Sequence, residues 1–204
     1  MDLLHTPCLD EWTGHDGSRL RIRAVRPHDA TALQALIGSL SPLDRRRRFH
    51  GALNNLSGQS LDDMANVDGH RHIALVVLAE RAGHETLIAD ARCVTDLSDS
   101  AAEFALLVAE AWRGRGVARR ALAALRRAAA GEGLHWLYGH VLADNVPMLA
   151  LMRRCGFSLT PHRRDGCMVV AEARCAPAAA ADPGELRPWW PHWPFPVAFD
   201  TPAR

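Results

Sequence analysis

The sequence predicts one mixed α/β domain, because strand-like and helix-like segments alternate along most of the chain. Period-two or continuous apolar runs indicate strands, and apolar residues at three- and four-residue spacing indicate the helices between them. The predicted order is β-α-α-β-β-β-α-β-α-β, which is typical of a mixed α/β fold and not of a repeat array. With 204 residues and 48% hydrophobic content, the chain can bury one sizeable core.

The first third of the chain predicts one strand and two helices. Residues 20–25 alternate apolar side chains with arginines until Pro27 closes the pattern, which indicates a half-buried strand. Residues 32–40 carry apolar side chains at helical spacing, and Pro42 ends this helix. A second, short helix is expected to begin at Ser60, because the aspartate three residues later completes a capping box.

The middle of the chain predicts a hairpin followed by a strand, a glycine-containing loop and a helix. The apolar segments 73–79 and 86–94 flank a turn around Gly83, as in a β-hairpin. The apolar segment 102–108 predicts the next strand, and an Ala/Leu/Arg pattern over about 117–130 predicts a long helix. Strand, loop and helix therefore follow one another directly.

The last elements are a strand at 135–142, a helix from Asn145 to Gly156, and closing strands at Phe157 and 168–170. The chain then changes character and becomes rich in alanine, proline and tryptophan. We therefore divide it into an N-terminal extension, a central α/β domain and a Pro/Trp-rich tail, which cover residues 1–19, 20–175 and 176–204.

The tail is expected to cover an apolar surface. Prolines between residues 188 and 196 exclude a regular helix or a central strand. Its large aromatic side chains are too apolar for a free linker, so we expect docking on this domain or across a homodimer contact. These side chains are Trp189, Trp190, Trp193, Phe195 and Phe199.

Composition excludes several classes of protein. A net charge of +1 gives no basic excess for binding nucleic acid or a membrane surface. Five cysteines without a CxxC motif indicate neither a disulfide framework nor a zinc site, and fit a reducing cytoplasm. The chain shows no signal peptide and no apolar run of about 18 residues. His70 and His72 have metal-ligand spacing, but no partner ligand is evident, so no metal is expected.

The loop 113–118 (RGRGVA) is the strongest candidate binding site. It follows a strand and opens a helix, so its N–H groups lie at the positive end of the helix dipole, where anions bind. Two glycines allow close approach, and an alanine leaves the first helical turn unobstructed. The alternative is a basic surface turn. The candidate anion-binding residues are Arg113, Gly114, Arg115, Gly116, Val117, Ala118 and Arg119, with Arg120 adding charge.

The motif Arg113-x-x-Gly116-x-Ala118 resembles the pyrophosphate loop of the GNAT superfamily of acyl-CoA-dependent N-acyltransferases, usually written (Q/R)xxGx(G/A). The resemblance covers roughly residues 20–170. It implies a mixed, mostly antiparallel sheet splayed between two strands and flanked by helices. It also implies acetyl-CoA as co-substrate, with its pantetheine on the exposed backbone of Leu106, Leu107 and Val108.

Asn145 has two interpretations. The family often places an asparagine here against the coenzyme arm, but a residue that starts a helix is also an ordinary N-cap. Several segments look more narrowly like bacterial protein-lysine acetyltransferases that control acyl-CoA synthetases, in which this domain is usually fused to a regulatory module. We expect no such module within 204 residues. The segments are 40–41, 45–49, 72–76, 102–105 and 142–145 with Met148.

Glu103 is the candidate general base. A lysine amine with a pKa of about 10.4 is mostly protonated at pH 7, so acyl transfer needs a proton acceptor. An unpaired carboxylate in an apolar strand costs stability unless it is hydrogen-bonded or functional. The resemblance implies that Glu103 acts through water; a solvated glutamate at a strand edge is the alternative. The amine would attack the thioester directly, and a backbone N–H of segment 106–108 would stabilise the oxyanion.

The acceptor and the general acid stay open. Many GNAT members carry a tyrosine where this chain has Met152, and we assign no acid role to Tyr138 or Cys155. The four arginines at 45–48 are expected to be solvated or paired. The leading function is acetylation of a protein lysine; the alternatives are acetylation of a small amine and acyl-CoA sensing without turnover.

Overall fold

The structure is a computed structural model that describes residues 8–49, 57–96 and 100–175. Within these residues, eight strands form one sheet in the order β1-β2-β3-β4-β5-β6-β8-β7. The strands are β1 Asp10–Thr13, β2 Arg19–Ala24, β3 His72–Arg81, β4 His84–Thr95, β5 Ala101–Val108, β6 Trp136–Leu142, β7 Ser158–Pro161 and β8 Met168–Arg174. The α-helices are α1 Ala30–Gly38, α2 Pro42–Phe49, α3 Gly58–Ala65, α4 Val117–Gly131 and α5 Val146–Arg154.

This architecture confirms the predicted mixed α/β class. Neighbouring strands are antiparallel throughout the described sheet except for β5 and β6, which are parallel. Helices lie on both faces. The predicted hairpin is β3–β4, and the predicted long helix is α4. The predicted tail, 176–204, lies outside the described residues.

Three local expectations need correction. Residues 10–13, placed by us in an N-terminal extension, form an edge strand against β2. The basic run belongs to α2, a helix that sequence reasoning missed because none of its residues is fully buried. The cap of α3 is Ser57 and not Ser60: the Ser57 hydroxyl accepts a hydrogen bond from the Ser60 N–H at 3.1 Å.

The core has two layers, one on each face of the sheet. Alternate residues of β3 explain this division, because successive side chains of a strand point to opposite faces. Ile73, Leu75 and Val77 pack with α4 in one cluster, whereas Val76 and Leu78 pack with α1 and α3 in the other. A strand covered on both faces must be apolar at every position, which is why β3 reads as a continuous run.

A buried ion pair fixes the start of α1 to the sheet. Two guanidinium nitrogens of Arg23, on β2, lie 2.7 and 2.8 Å from the two carboxylate oxygens of Asp29. The Arg26 N–H also donates to Asp29. Burial alone would raise the pKa of Asp29, but these hydrogen bonds outweigh it and hold the pKa below its usual value.

The sheet divides between β5 and β6. The parallel ladder contains three residue pairs, the last of which joins Glu103 to Tyr138. Beyond this pair, Phe104 turns its ring against Gly139 of β6 and packs on Phe157, with ring centroids 5.2 Å apart. The two strands part from this point, so the C-terminal half of β5 has no β6 partner.

Candidate active site

The glycine loop has the geometry of an anion cradle. Gly114 and Gly116 have φ angles of +73° and +82°, a region that favours glycine, and Gly116 caps α4. The Arg120 N–H donates to the Gly116 carbonyl, so the amides of residues 117–119 precede the first helical hydrogen bond. A Cβ added at either glycine would meet no atom within 4 Å. The space beside both glycines is therefore open, as the close approach of a phosphate requires.

Three arginines around this loop already have acidic partners. Arg113 lies 3.1 Å from Asp44 and also donates to the Val108 carbonyl at 3.3 Å. Arg115 pairs with Asp16 at 2.7 Å, and Arg120 pairs with Asp10 at 3.1 Å. Arg119 is exposed and forms no ion pair with another described residue. The positive charge expected from sequence is therefore partly neutralised, but exposed pairs of this kind are weak and can exchange partners.

The predicted backbone edge for the coenzyme arm is open on one side. Leu106, Leu107 and Val108 pair with β4 along one edge of β5. On the other edge, the β6 ladder has already ended at Glu103. The five residues from Phe104 to the end of β5 extend about 17 Å at the usual rise of a strand, and they lead to the glycine loop.

Glu103 lies at the point where the strands begin to part. Its Oε1 is 2.8 Å from Nδ1 of His140, and the two side chains are 19% and 15% exposed. Tyr138 lies beside this pair, with its ring centroid 6.1 Å from that of His140. Burial, with the nearby Glu103 charge, raises the pKa of Tyr138 and keeps its hydroxyl neutral. Sequence reasoning missed His140, although it is two residues from Tyr138 and so shares its strand face.

A second charged cluster lies on the same face of the sheet. Asp90 is 1% exposed and accepts two hydrogen bonds from Arg92, at 2.9 and 2.6 Å. Helix α2 brings Arg48 to the same carboxylate, but at 3.8 Å. Burial lowers the pKa of Arg48 to about 10, and the charges of Asp90 and Glu103 act in the opposite direction. Arg46 and Arg47, by contrast, contact Asp144 at the surface.

The remaining candidates have structural or buried positions. Asn145 is an N-cap, since its side chain accepts a hydrogen bond from the Met148 N–H at 3.3 Å. Met152, at the position where many family members have tyrosine, is fully buried in the core. Burial raises the pKa of Cys155, which makes its thiol a poor nucleophile at neutral pH.

The two histidines with metal-ligand spacing have separate environments. His70 Nδ1 lies 2.6 Å from Glu132, whereas burial, with the Arg92 charge, lowers the pKa of His72 to about 4. Within the described part of the chain, no three His, Cys, Asp or Glu side chains form a group able to hold a metal ion. Nor does any described helix combine the length and apolar character needed to cross a membrane.

Comparison with known proteins gives the family. The family model described as an acetyltransferase (GNAT) domain matches residues 19–158. An acetyltransferase of Pseudomonas aeruginosa is 27% identical over 150 residues, which is 72% of this chain and 81% of the relative.

Solved structures show the same fold. The GNAT domain of S. lividans PAT matches with a TM-score of 0.72 and 23% identity, over 81% of this chain and 96% of that one. A cAMP-binding acyltransferase from Mycobacterium smegmatis matches with a TM-score of 0.56 and 25% identity, over 82% of this chain and 47% of that one. The chain therefore belongs to the GNAT acetyltransferase family and is an acyl-CoA-dependent N-acyltransferase.

Proposed function

We propose that this protein moves an acetyl group from acetyl-CoA to a primary amine, with Glu103 as the general base and a protein lysine as the acceptor. One observation carries the proposal: a single strand, β5, joins Glu103, a segment beyond the end of the β6 ladder and the glycine loop in that order. A coenzyme bound along this strand would have its phosphates at the loop and its thioester near the carboxylate.

The coenzyme would bind mainly through the backbone. Amides at the start of α4 would hold the pyrophosphate, and the open edge of β5 would pair with the pantetheine arm. Exposed arginines would add charge once phosphate competes with their present carboxylate partners. The proposed binding residues are Leu106, Leu107, Val108, Arg113, Gly114, Arg115, Gly116, Val117, Ala118, Arg119 and Asn145.

Glu103 would supply the proton acceptor that amine attack requires. The neutral amine attacks the thioester carbonyl, and a backbone N–H of segment 106–108 stabilises the oxyanion. Glu103 accepts a proton from the amine, directly or through water, and the C–S bond then breaks to release the coenzyme thiolate. Met152, at the position where many family members have tyrosine, has no ionisable proton and cannot be the proton donor to that thiolate.

Two observations support a protein lysine as the acceptor. Several sequence segments, among them 72–76 and 102–105, resemble those of protein-lysine acetyltransferases. The fold resembles the GNAT domain of S. lividans PAT. Acetylation of a small amine is the second candidate. A sensor that binds acyl-CoA without turnover is the third, and the apolar Met152 is the feature that favours it.

A thiol-release assay with acetyl-CoA separates these candidates. Acyl-CoA synthetases and a panel of small amines serve as acceptors, and calorimetry measures coenzyme binding in parallel. Glu103→Gln should lower kcat about 10²–10⁴-fold with unchanged coenzyme affinity. Glu80→Gln, at an exposed position of β3, is the matched control. Full activity of Glu103→Gln would show that Glu103 is not the general base. If the unsubstituted protein binds the coenzyme but releases no thiol, it is a sensor.

A further inference from the structure

We propose that His140 is a positioning residue for Glu103: its Nδ1–H donates to one carboxylate oxygen and leaves the other oxygen free for the amine. This inference rests on the proposed role of Glu103 as the base. His140 touches neither thioester nor amine in this scheme, so its effect on acetyl transfer passes entirely through the carboxylate.

The position of the hydrogen bond is the first argument. Backbone pairing between β5 and β6 ends at Glu103 and Tyr138, and His140 is two residues further along β6. The 2.8 Å contact between the side chains therefore crosses the sheet just where the backbone bonds stop. Without it, Glu103 would have several side-chain rotamers available at the edge of the opening. A misplacement of about 1 Å in a catalytic group can cost about 10²-fold in rate.

The surroundings of His140 are the second argument, because they fix its ring. The His162 ring packs against it edge-on at 5.5 Å, with an interplanar angle of 73°. The Tyr138 ring packs at 6.1 Å, with an angle of 83°. A ring held by two aromatic neighbours presents its nitrogen in one direction, which is what a group that orients a base must do.

A positive charge also lies near this pair. Arg48 lies on the same face of the sheet and interacts electrostatically with Glu103. Ionised Glu103 is the form that a general base requires.

The competing interpretation is that the pair merely joins β5 to β6. The two roles predict different effects of a His140 substitution on kcat once Glu103→Gln has removed the base. If His140 acts through Glu103, its substitution should add little to the loss in Glu103→Gln, because the two changes remove one function. If it only joins the strands, the losses should multiply.

The test uses two nearly isosteric substitutions in the full-length protein. His140→Asn keeps an N–H donor near the position of Nδ1, whereas His140→Leu removes it. We expect His140→Leu to lower kcat about 10²-fold, with KM for acetyl-CoA and the melting temperature little changed. His140→Asn should recover at least about 10-fold of that loss. His135→Asn, at an exposed position before β6, is the control and should be unaffected.

Both variants are then made in the Glu103→Gln background, where His140→Leu should lower kcat by less than about 2-fold further. Equal losses in both backgrounds, or equal activities of the Asn and Leu variants, would overturn the positioning role while leaving Glu103 as the base. Full activity of Glu103→Gln would instead overturn the proposed base itself. If His140→Leu does not fold, His140→Ala, which also removes the donor, replaces it in both backgrounds and is expected to lower kcat at constant coenzyme KM.

Discussion

The ring of Phe104 lies directly against the backbone of Gly139, at the position where β5 and β6 part. A Cβ placed on Gly139 would be 2.8 Å from Cε1 of that ring, closer than real side chains approach. The glycine therefore leaves room for the ring, which also packs against Phe157. This contact lies immediately after Glu103 and on the opposite face of β5.

Gly139→Ala should destabilise the protein, because the buried Phe104 ring must move to admit a methyl group. Overpacking of this kind costs about 1–3 kcal/mol. Urea unfolding measures this loss in the free energy of unfolding. Gly38→Ala is the control, since it adds the same methyl group at the end of α1, where no atom lies within 4 Å. A Gly139→Ala protein as stable as the control would show that the ring does not need the glycine.

Replacing Gly116 by leucine should weaken CoA binding at least about 10-fold, because a side chain would occupy the open space above the first turn of α4. Gly83→Leu is a matched control: Gly83 lies in the β3–β4 turn with a φ of +78° and equally open surroundings. Both substitutions should cost about 1–2 kcal/mol of stability from backbone strain. Calorimetry should show the affinity loss at Gly116 alone; equal affinities in the two variants would place the phosphates elsewhere.

Sequence periodicity predicted the buried elements well and the exposed ones poorly. Strand β3 and helix α4 carry unmistakable apolar patterns because their burial is extensive. Helix α2 was missed because its four consecutive arginines conceal any apolar stripe, and its residues are at most partly buried. Strand β1 has four residues and one neighbouring strand, so its sequence carries too little pattern to recognise.

Some residues of the candidate site could likewise be predicted from the sequence, and others could not. The glycine loop is a local motif, and its positive φ angles follow from residues that are adjacent in the chain. The contact of Glu103 with His140 joins residues 37 positions apart and depends on the register of two parallel strands. Arg48 and Asp90 are also far apart in the chain, and they meet only because helix α2 packs against the sheet. No periodicity within one segment specifies such a register, so these neighbours required the folded structure.

Asp29→Asn should destabilise the protein at neutral pH, because it leaves Arg23 buried without a charged partner. Breaking one side of a buried pair costs about 3–5 kcal/mol. The folded pKa of Asp29 is below its unfolded value, so the pair's contribution is complete above about pH 4 and is lost as the pH falls through the folded pKa.

Urea unfolding of the wild type and of Asp29→Asn at pH 7 and at about pH 3 measures this dependence. The difference between the two proteins should shrink at the lower pH, since Asp29 of the unfolded wild-type chain, with its ordinary pKa, is then largely protonated. Asp62→Asn, on the exposed surface of α3, should leave the free energy of unfolding unchanged at both values. A constant difference across this range would mean that the charge of Asp29 contributes nothing.

Arg48 and Arg92 approach one buried carboxylate, yet their removal should have unequal effects on stability. Arg92 donates two short hydrogen bonds to Asp90, so Arg92→Met should cost about 3–5 kcal/mol by leaving that carboxylate poorly paired.

Arg48 is 10% exposed, its Nε has no hydrogen-bond partner, and its distance to Asp90 is 3.8 Å. Its buried charge is therefore poorly compensated, and Arg48→Met should be neutral or stabilising, because methionine fills similar space without a charge. Urea unfolding measures the change in the free energy of unfolding for both variants. Equal losses would show that Arg48 shares the carboxylate on the same terms as Arg92, and that its longer contact shortens in solution.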